Sequence, residues 1–160
     1  MVNRFWGLCL TATELEKLSR PLGADVPACV FSRTCRAVGI GQDLHPVVNG
    51  RLDQQIALLV NPLIPVPTGQ VFAKWDGLDK GGLSEGNSLE VALTGRNDLQ
   101  QPALAIAPMI GEILKQLDST GSLFSRMSGS GATCFALFET EEKAREAKTS
   151  MLKRDRKSVG

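Results

Sequence analysis

Between Met127 and Thr133 the chain runs Ser128-Gly129-Ser130-Gly131-Ala132, and Thr133-Cys134-Phe135-Ala136-Leu137-Phe138 follows at once as a buried strand. So many small residues ahead of a strand restrict the fold strongly. Glycine supplies positive φ and close backbone approach, so the loop is either a tight β-turn entering the strand or a nest of N–H groups converging on an anion. Both readings stay open at this point.

Upstream, Gln55-Ile56-Ala57-Leu58-Leu59-Val60 is a continuous apolar run that reads as a fully buried strand. Asn61-Pro62 breaks it, and a proline-rich segment leads to Thr68-Gly69-Gln70-Val71-Phe72, the start of a helix capped by Thr68. Residues 76–87 carry too many glycines for regular structure. Asn97-Asp98 then makes an N-cap for a helical stretch that Pro108 must kink or split before Ile110, Ile113, Leu114 and Leu117 continue the apolar face. The order strand–helix–helix–strand–helix suggests a split β-α-β or ferredoxin-like α+β domain.

The first fifty residues read differently. Met1 to Leu8 resembles the end of an amphipathic helix. Thr11 and Glu14 form the S/T-x-x-E signature of a capping box, ahead of a helix with Leu15 and Leu18 on its apolar stripe. Pro21 and Gly23 stop that helix and deliver Leu22-Gly23-Ala24-Asp25-Val26-Pro27. Proline holds its predecessor extended, so Asp25 is expected at the mouth of a strand from Ala28 to Phe31, pointing into a cleft. Two short strands about Ser32-Arg33-Thr34 would complete the unit. An Asx turn is the plainer role for the same carboxylate.

Composition narrows the function classes. With 42% hydrophobic and 22% charged residues the chain is ordinary for a globular protein. A formal charge of +1 gives no basic excess for nucleic acid, so none is expected as a partner. No apolar run approaches the ~18 residues of a membrane span, and nothing at the start reads as a signal peptide. Cys9, Cys29, Cys35 and Cys134 form no C-x-x-C pair and only His45 accompanies them, so no metal site is expected. Reduced thiols and a cytoplasmic location follow. The apolar neighbours of Cys134 mark it as a structural rather than a catalytic thiol.

Four segments taken together, Leu22 to Pro27, Ile64 to Phe72, Asn97-Asp98-Leu99 and Ser128 to Gly131, stand in an order that resembles the GHMP family of small-molecule kinases. The resemblance covers roughly Asn3 to Ser150. It implies the end of a ribosomal-protein-S5-like N-terminal domain over residues 1–50, followed by a ferredoxin-like C-terminal domain over residues 51–150. It implies ATP as co-substrate, with Mg2+ accompanying it, and Asp25 as the catalytic base. Ser128, Gly129, Ser130 and Gly131 would support the family's main phosphate loop. Gly23-Ala24-Asp25-Val26-Pro27 and Phe72 favour members acting on a 4-diphosphocytidyl sugar alcohol of non-mevalonate isoprenoid synthesis over homoserine, mevalonate or galactose kinases. In such members Phe72 would pack on the cytosine ring, and Thr68 would bind a substrate phosphate.

The family's main glycine-rich loop and the lysine of its first strand have no counterpart in this sequence, so Met1 is expected to be an internal position of a longer protein and the chain alone to be inactive. Residues 151–160, ending Lys153-Arg154-Asp155-Arg156-Lys157-Ser158-Val159-Gly160, read as a disordered basic tail. A competing expectation is a non-catalytic ferredoxin-like module that binds a small ligand or a partner protein.

Overall fold

The computed structural model describes residues 2–41, 43–47 and 50–158. They fall into two compact units, Met1–Gly50 with Gly86–Ser88, and Arg51–Glu85 with Leu89–Gly160.

In the first unit, α1 (Val2–Phe5) is a single turn. Asn3 ties it to the following segment, donating from Nδ2 to the Leu10 carbonyl at 3.0 Å and accepting from the Leu10 N–H at 3.1 Å. The capping box forms as the sequence requires ahead of α2 (Ala12–Ser19): Thr11 Oγ1 accepts from the Glu14 N–H, and Glu14 Oε2 accepts from the Thr11 N–H at 2.8 Å. Leu18, expected on the buried stripe, is exposed. A 3-10 turn (Arg20–Leu22) and Gly23 at φ +145° then turn the chain into α3 (Val26–Phe31).

That last element corrects the expected strand from Ala28 to Phe31. Pro27 lies in the first helical turn, where its missing N–H costs nothing and its fixed φ suits the helix. Ala-Cys-Val-Phe is too short an apolar run for periodicity to separate strand from helix. The strand pair comes later, with β1 (Cys35–Val38) antiparallel to β2 (Asp43–Pro46) and Arg36 opposite His45.

The second unit opens with a 3-10 turn (Leu52–Gln54) and β3 (Ile56–Val60). It continues through α4 (Thr68–Ala73), α5 (Ser88–Thr94), α6 (Gln100–Ile106) and α7 (Met109–Asp118). It ends with β4 (Phe124–Met127), β5 (Cys134–Phe138) and α8 (Glu141–Ser158). The sheet order is β3-β5-β4 with both pairings antiparallel, so β3 and β4 run parallel with β5 between them. This is a split β-α-β arrangement, and the α+β class stands.

Ala107 leaves the helical region at φ −133°, ψ 82° just before Pro108, which separates α6 from α7. Ile110, Ile113, Leu114 and Leu117 of α7 then pack with Met127, Cys134, Ala136 and Phe138 of the sheet and with Ala144 and Ala147 of α8. Each fully buried side chain of the size of Ile110, Leu117 or Phe138 contributes about 1.5–3 kcal/mol.

β3 is not the fully buried strand its apolar run suggested. It is an edge strand: Leu58 and Val60 pack on the core, whereas Leu59 is 68% exposed. The segment after Ser150, expected to be disordered, continues α8 as helix to Ser158, and Val159 and Gly160 lie outside the described residues. Among the described residues no helix is long and apolar enough to cross a membrane.

Candidate functional site

The glycine loop closes the β4–β5 hairpin. Met127 pairs with Cys134 at the end of the ladder, and the Ser128 N–H donates to the Thr133 carbonyl at 2.8 Å one step beyond. The Gly131 N–H folds back onto the Ser128 carbonyl at 3.1 Å, so the loop is a tight turn in its own right. Gly129 and Gly131 have φ of +55° and +95°, which glycine adopts without strain. Two of the four N–H groups expected to converge on an anion, those of Ser128 and Gly131, are therefore spent internally. Among the described residues no acceptor is paired with the N–H of Gly129 or Ser130.

Gly131 also marks a close approach. A Cβ there would meet Met127 Sδ at 3.0 Å, Ile110 Cδ1 at 3.4 Å and Val66 Cγ1 at 3.7 Å. The loop thus rests directly on the core and on the proline-rich segment that leads to α4.

That segment brings Thr68 to the loop. Thr68 does not cap α4, as the sequence suggested; Pro67 holds the N-cap position and Thr68 is the first helical residue. Its hydroxyl is instead 2.9 Å from Ser130 Oγ. Phe72 follows one turn later on the same helix. Val71 is fully buried and Phe72 is 51% exposed, so Phe72 is not the core residue of this turn. Asn61, read only as a strand breaker, donates from Nδ2 to Thr133 Oγ1 at 2.9 Å at the far side of the loop.

Asn97 is the residue the sequence reading misassigned. It does not cap α6, which starts at Gln100 with Leu99 at its N-cap position. Asn97 Oδ1 accepts from the Leu99 N–H at 3.0 Å, while Nδ2 donates to the Met127 carbonyl at 2.9 Å and to the Gly129 carbonyl at 2.8 Å. Gln100 Oε1 accepts from the Met127 N–H at 3.1 Å. The signal was present in Asn97-Asp98-Leu99, but an Asx turn and a long-range clasp use the same residue type. Next to it Asp98 forms ion pairs with Arg96 at 3.0 Å and Lys80 at 3.6 Å, which tie the irregular segment 76–87 to the start of α6.

Asp25 belongs to the first unit. It is exposed, stands immediately before α3, and makes no side-chain cap of that helix, so its carboxylate is not engaged as a helix cap. Cys134 is fully buried, and burial pushes its thiol up to about 11, which fits a structural residue. Among the described residues no group of three His, Cys, Asp or Glu is placed to hold a metal.

Residues 84–157 match the family described as GHMP kinases C terminal. The chain belongs to the GHMP kinase family. Among its relatives is the 4-diphosphocytidyl-2-C-methyl-D-erythritol kinase of Novosphingobium aromaticivorans, 52% identical over 151 residues, which cover 94% of this chain and 52% of that protein. The enzyme of the same name from Sphingopyxis alaskensis is 53% identical over 126 residues, covering 78% of this chain and 44% of the relative. The chain thus spans about half the length of the curated relatives it matches.

A solved 4-(cytidine 5'-diphospho)-2C-methyl-D-erythritol kinase superposes with a TM-score of 0.69 at 26% identity, covering 94% of this chain and 57% of that one. Homoserine kinase from Cytophaga hutchinsonii shares the fold, with a TM-score of 0.68 at 16% identity over 95% of this chain and 56% of that one.

Proposed function

We propose that this chain carries part of the machinery for transferring the γ-phosphoryl group of ATP to the 2-hydroxyl of 4-diphosphocytidyl-2-C-methyl-D-erythritol. The observation that carries this reading is the 2.9 Å contact between Thr68 and Ser130, which sets the helix bearing Phe72 against the glycine loop. The names of the relatives supply the substrate.

In this reading the half-exposed ring of Phe72 stacks on the cytosine and the Thr68 hydroxyl donates to a substrate phosphate oxygen. The free N–H groups of Gly129 and Ser130 receive phosphate oxygens of ATP beside the main phosphate loop of the family. The acceptor hydroxyl attacks the γ-phosphorus in line. A P–O bond forms to the sugar alcohol, the bond to the β-phosphate oxygen breaks, and ADP leaves. Asp25 orients that hydroxyl and takes its proton. Mg2+ arrives with ATP as part of the co-substrate; among the described residues no group of three His, Cys, Asp or Glu is placed to hold a resident ion. The four free cysteines fit a reducing, cytoplasmic setting.

The test is a fusion of this chain to the part of the Novosphingobium aromaticivorans relative that lies outside its match. The folded fusion should consume ATP with the cytidylyl substrate and not with homoserine, mevalonate or galactose. A folded fusion that prefers one of those three, or phosphorylates none of the four, overturns the proposal.

A further inference from the structure

Asn97 has two amide hydrogens and one carbonyl oxygen, and all three are used. The hydrogens reach the Met127 and Gly129 carbonyls, and the oxygen receives the Leu99 N–H. Reversing the amide would set its oxygen against two carbonyls and its NH2 against an N–H, so the network permits one orientation only. Gln100 takes the N–H of Met127. Both outward polar groups of Met127, at the end of β4, are therefore held, the carbonyl by Asn97 ahead of α6 and the N–H by Gln100 at its first residue.

A trans peptide points its C=O and N–H in opposite directions. Drawing the Met127 carbonyl toward Asn97 sends the N–H of Ser128 the other way, where it meets Thr133. Drawing the Gly129 carbonyl toward Asn97 likewise sends the N–H of Ser130 away from Asn97, where no acceptor among the described residues meets it. One side chain thus orients two successive loop peptides, one for the hairpin and one for an external acceptor.

We propose that Asn97 is a positioning residue of the glycine loop, fixing the Gly129–Ser130 peptide so that the Ser130 N–H is presented to an anionic oxygen. This rests on the phosphate-binding reading of the loop.

The test compares backbone-amide NMR of the whole chain with that of its Asn97→Asp and Asn97→Ser variants. Aspartate keeps the acceptor for Leu99. When ionised it places a negative oxygen against two carbonyls, and when protonated it regains one donor. The loop amides Gly129, Ser130 and Gly131 should therefore titrate through the carboxylate range in Asn97→Asp and not in wild type. The other charged groups at this end of α6, Asp98, Arg96, Lys80 and Asp76, are common to both proteins and drop out of the difference.

At neutral pH, exchange of the Ser128 and Gly131 amides should be roughly tenfold faster in Asn97→Asp, the effect of about one lost hydrogen bond, with Ala136 and Leu114 unchanged. Asn97→Ser, which keeps one donor, should show the faster exchange without the titration. Added tripolyphosphate should shift Gly129 and Ser130 in wild type and not in ionised Asn97→Asp. Loop amides that match wild type in both variants overturn the proposal, as do changes spread evenly through the unit. If the variants behave as expected but wild type ignores tripolyphosphate, Asn97 still orients the loop and the phosphate reading falls.

Discussion

Thr68 and Ser130 are 62 residues apart in sequence, and their hydroxyl oxygens lie 2.9 Å apart. One stands on the first turn of α4, the other in the turn between β4 and β5. The segment that would hold the substrate and the segment that would hold phosphate therefore meet at this hydroxyl pair, with Gly131 close to Val66 beside it.

Phe72→Ala should leave the fold intact, because the ring is half exposed and Val71 fills the core beneath it. In the active fusion the cytidylyl substrate should bind more weakly by ~1–3 kcal/mol, the usual contribution of an aromatic stacked on a base. ATP affinity should stay within experimental error. Isothermal titration with each ligand decides it; equal losses for both would make Phe72 a packing residue.

Asp25→Asn keeps the shape of the side chain and removes its ability to take a proton. In the fusion, kcat should fall by ~10²–10⁴-fold with KM for the cytidylyl substrate nearly unchanged. Thermal stability should not move, since the carboxylate is exposed and caps no helix. Near-normal kcat in steady-state assays would reduce Asp25 to a turn residue.

Gly131→Ala and Gly129→Ala should differ in stability although both glycines have positive φ. At Gly129 nothing lies within 4 Å of an added Cβ, so the backbone penalty of ~1–2 kcal/mol stands alone. At Gly131 the methyl would press on Met127 Sδ at 3.0 Å and Ile110 Cδ1 at 3.4 Å, adding ~1–3 kcal/mol of overpacking. Urea unfolding of the two variants should rank them in that order.

Cys134 should resist thiol reagents at pH 8 while exposed Cys9 and Cys29 react at once. Burial raises its pKa from 9.0 to about 11. The folded state thus holds the proton more tightly than the unfolded chain. The contribution is complete below the unfolded thiol's pKa and is lost as pH rises toward about 11. Denaturation followed from pH 8 to 11 should show this fall, and Cys134→Ala should flatten it.

How much of this was legible depended on whether the deciding interaction was local. The capping box of Thr11 and Glu14, the apolar stripe of α7 and the break at Pro108 involve neighbours in sequence, and each forms as read. The α3 helix was missed because Pro27 suits both an extended turn and a first helical turn; the bonds from the Val26 N–H to the Gly23 carbonyl and from the Cys29 N–H to the Asp25 carbonyl, each 3.2 Å, go with the latter. The run Ile56 to Val60 could not say that β3 stands at an edge, since strand order is set by β5 arriving far downstream. At the candidate site Thr68, Phe72 and the glycine loop were singled out through the family resemblance, and the structure sets Thr68 beside Ser130. The clasp of Asn97 on Met127 and Gly129 spans 30 and 32 residues, and nothing in a short window distinguishes it from a helix cap.

The order of the sheet bears on how the chain is made. Among the described strands β3 and β4 each pair with β5 alone, and Ile56 pairs with Phe138. During synthesis the hairpin of β4 and β5 can close locally, but β3 must wait for a strand more than seventy residues younger than itself. Until then its apolar side chains have no sheet to join, and closing so long a loop is slow. Thr68 emerges early and Ser130 late, so the hydroxyl pair between them forms only once β4 and the loop after it have left the ribosome. A ribosome stalled before residue 138 would hold a nascent chain with an open strand, the kind of species that chaperones retain.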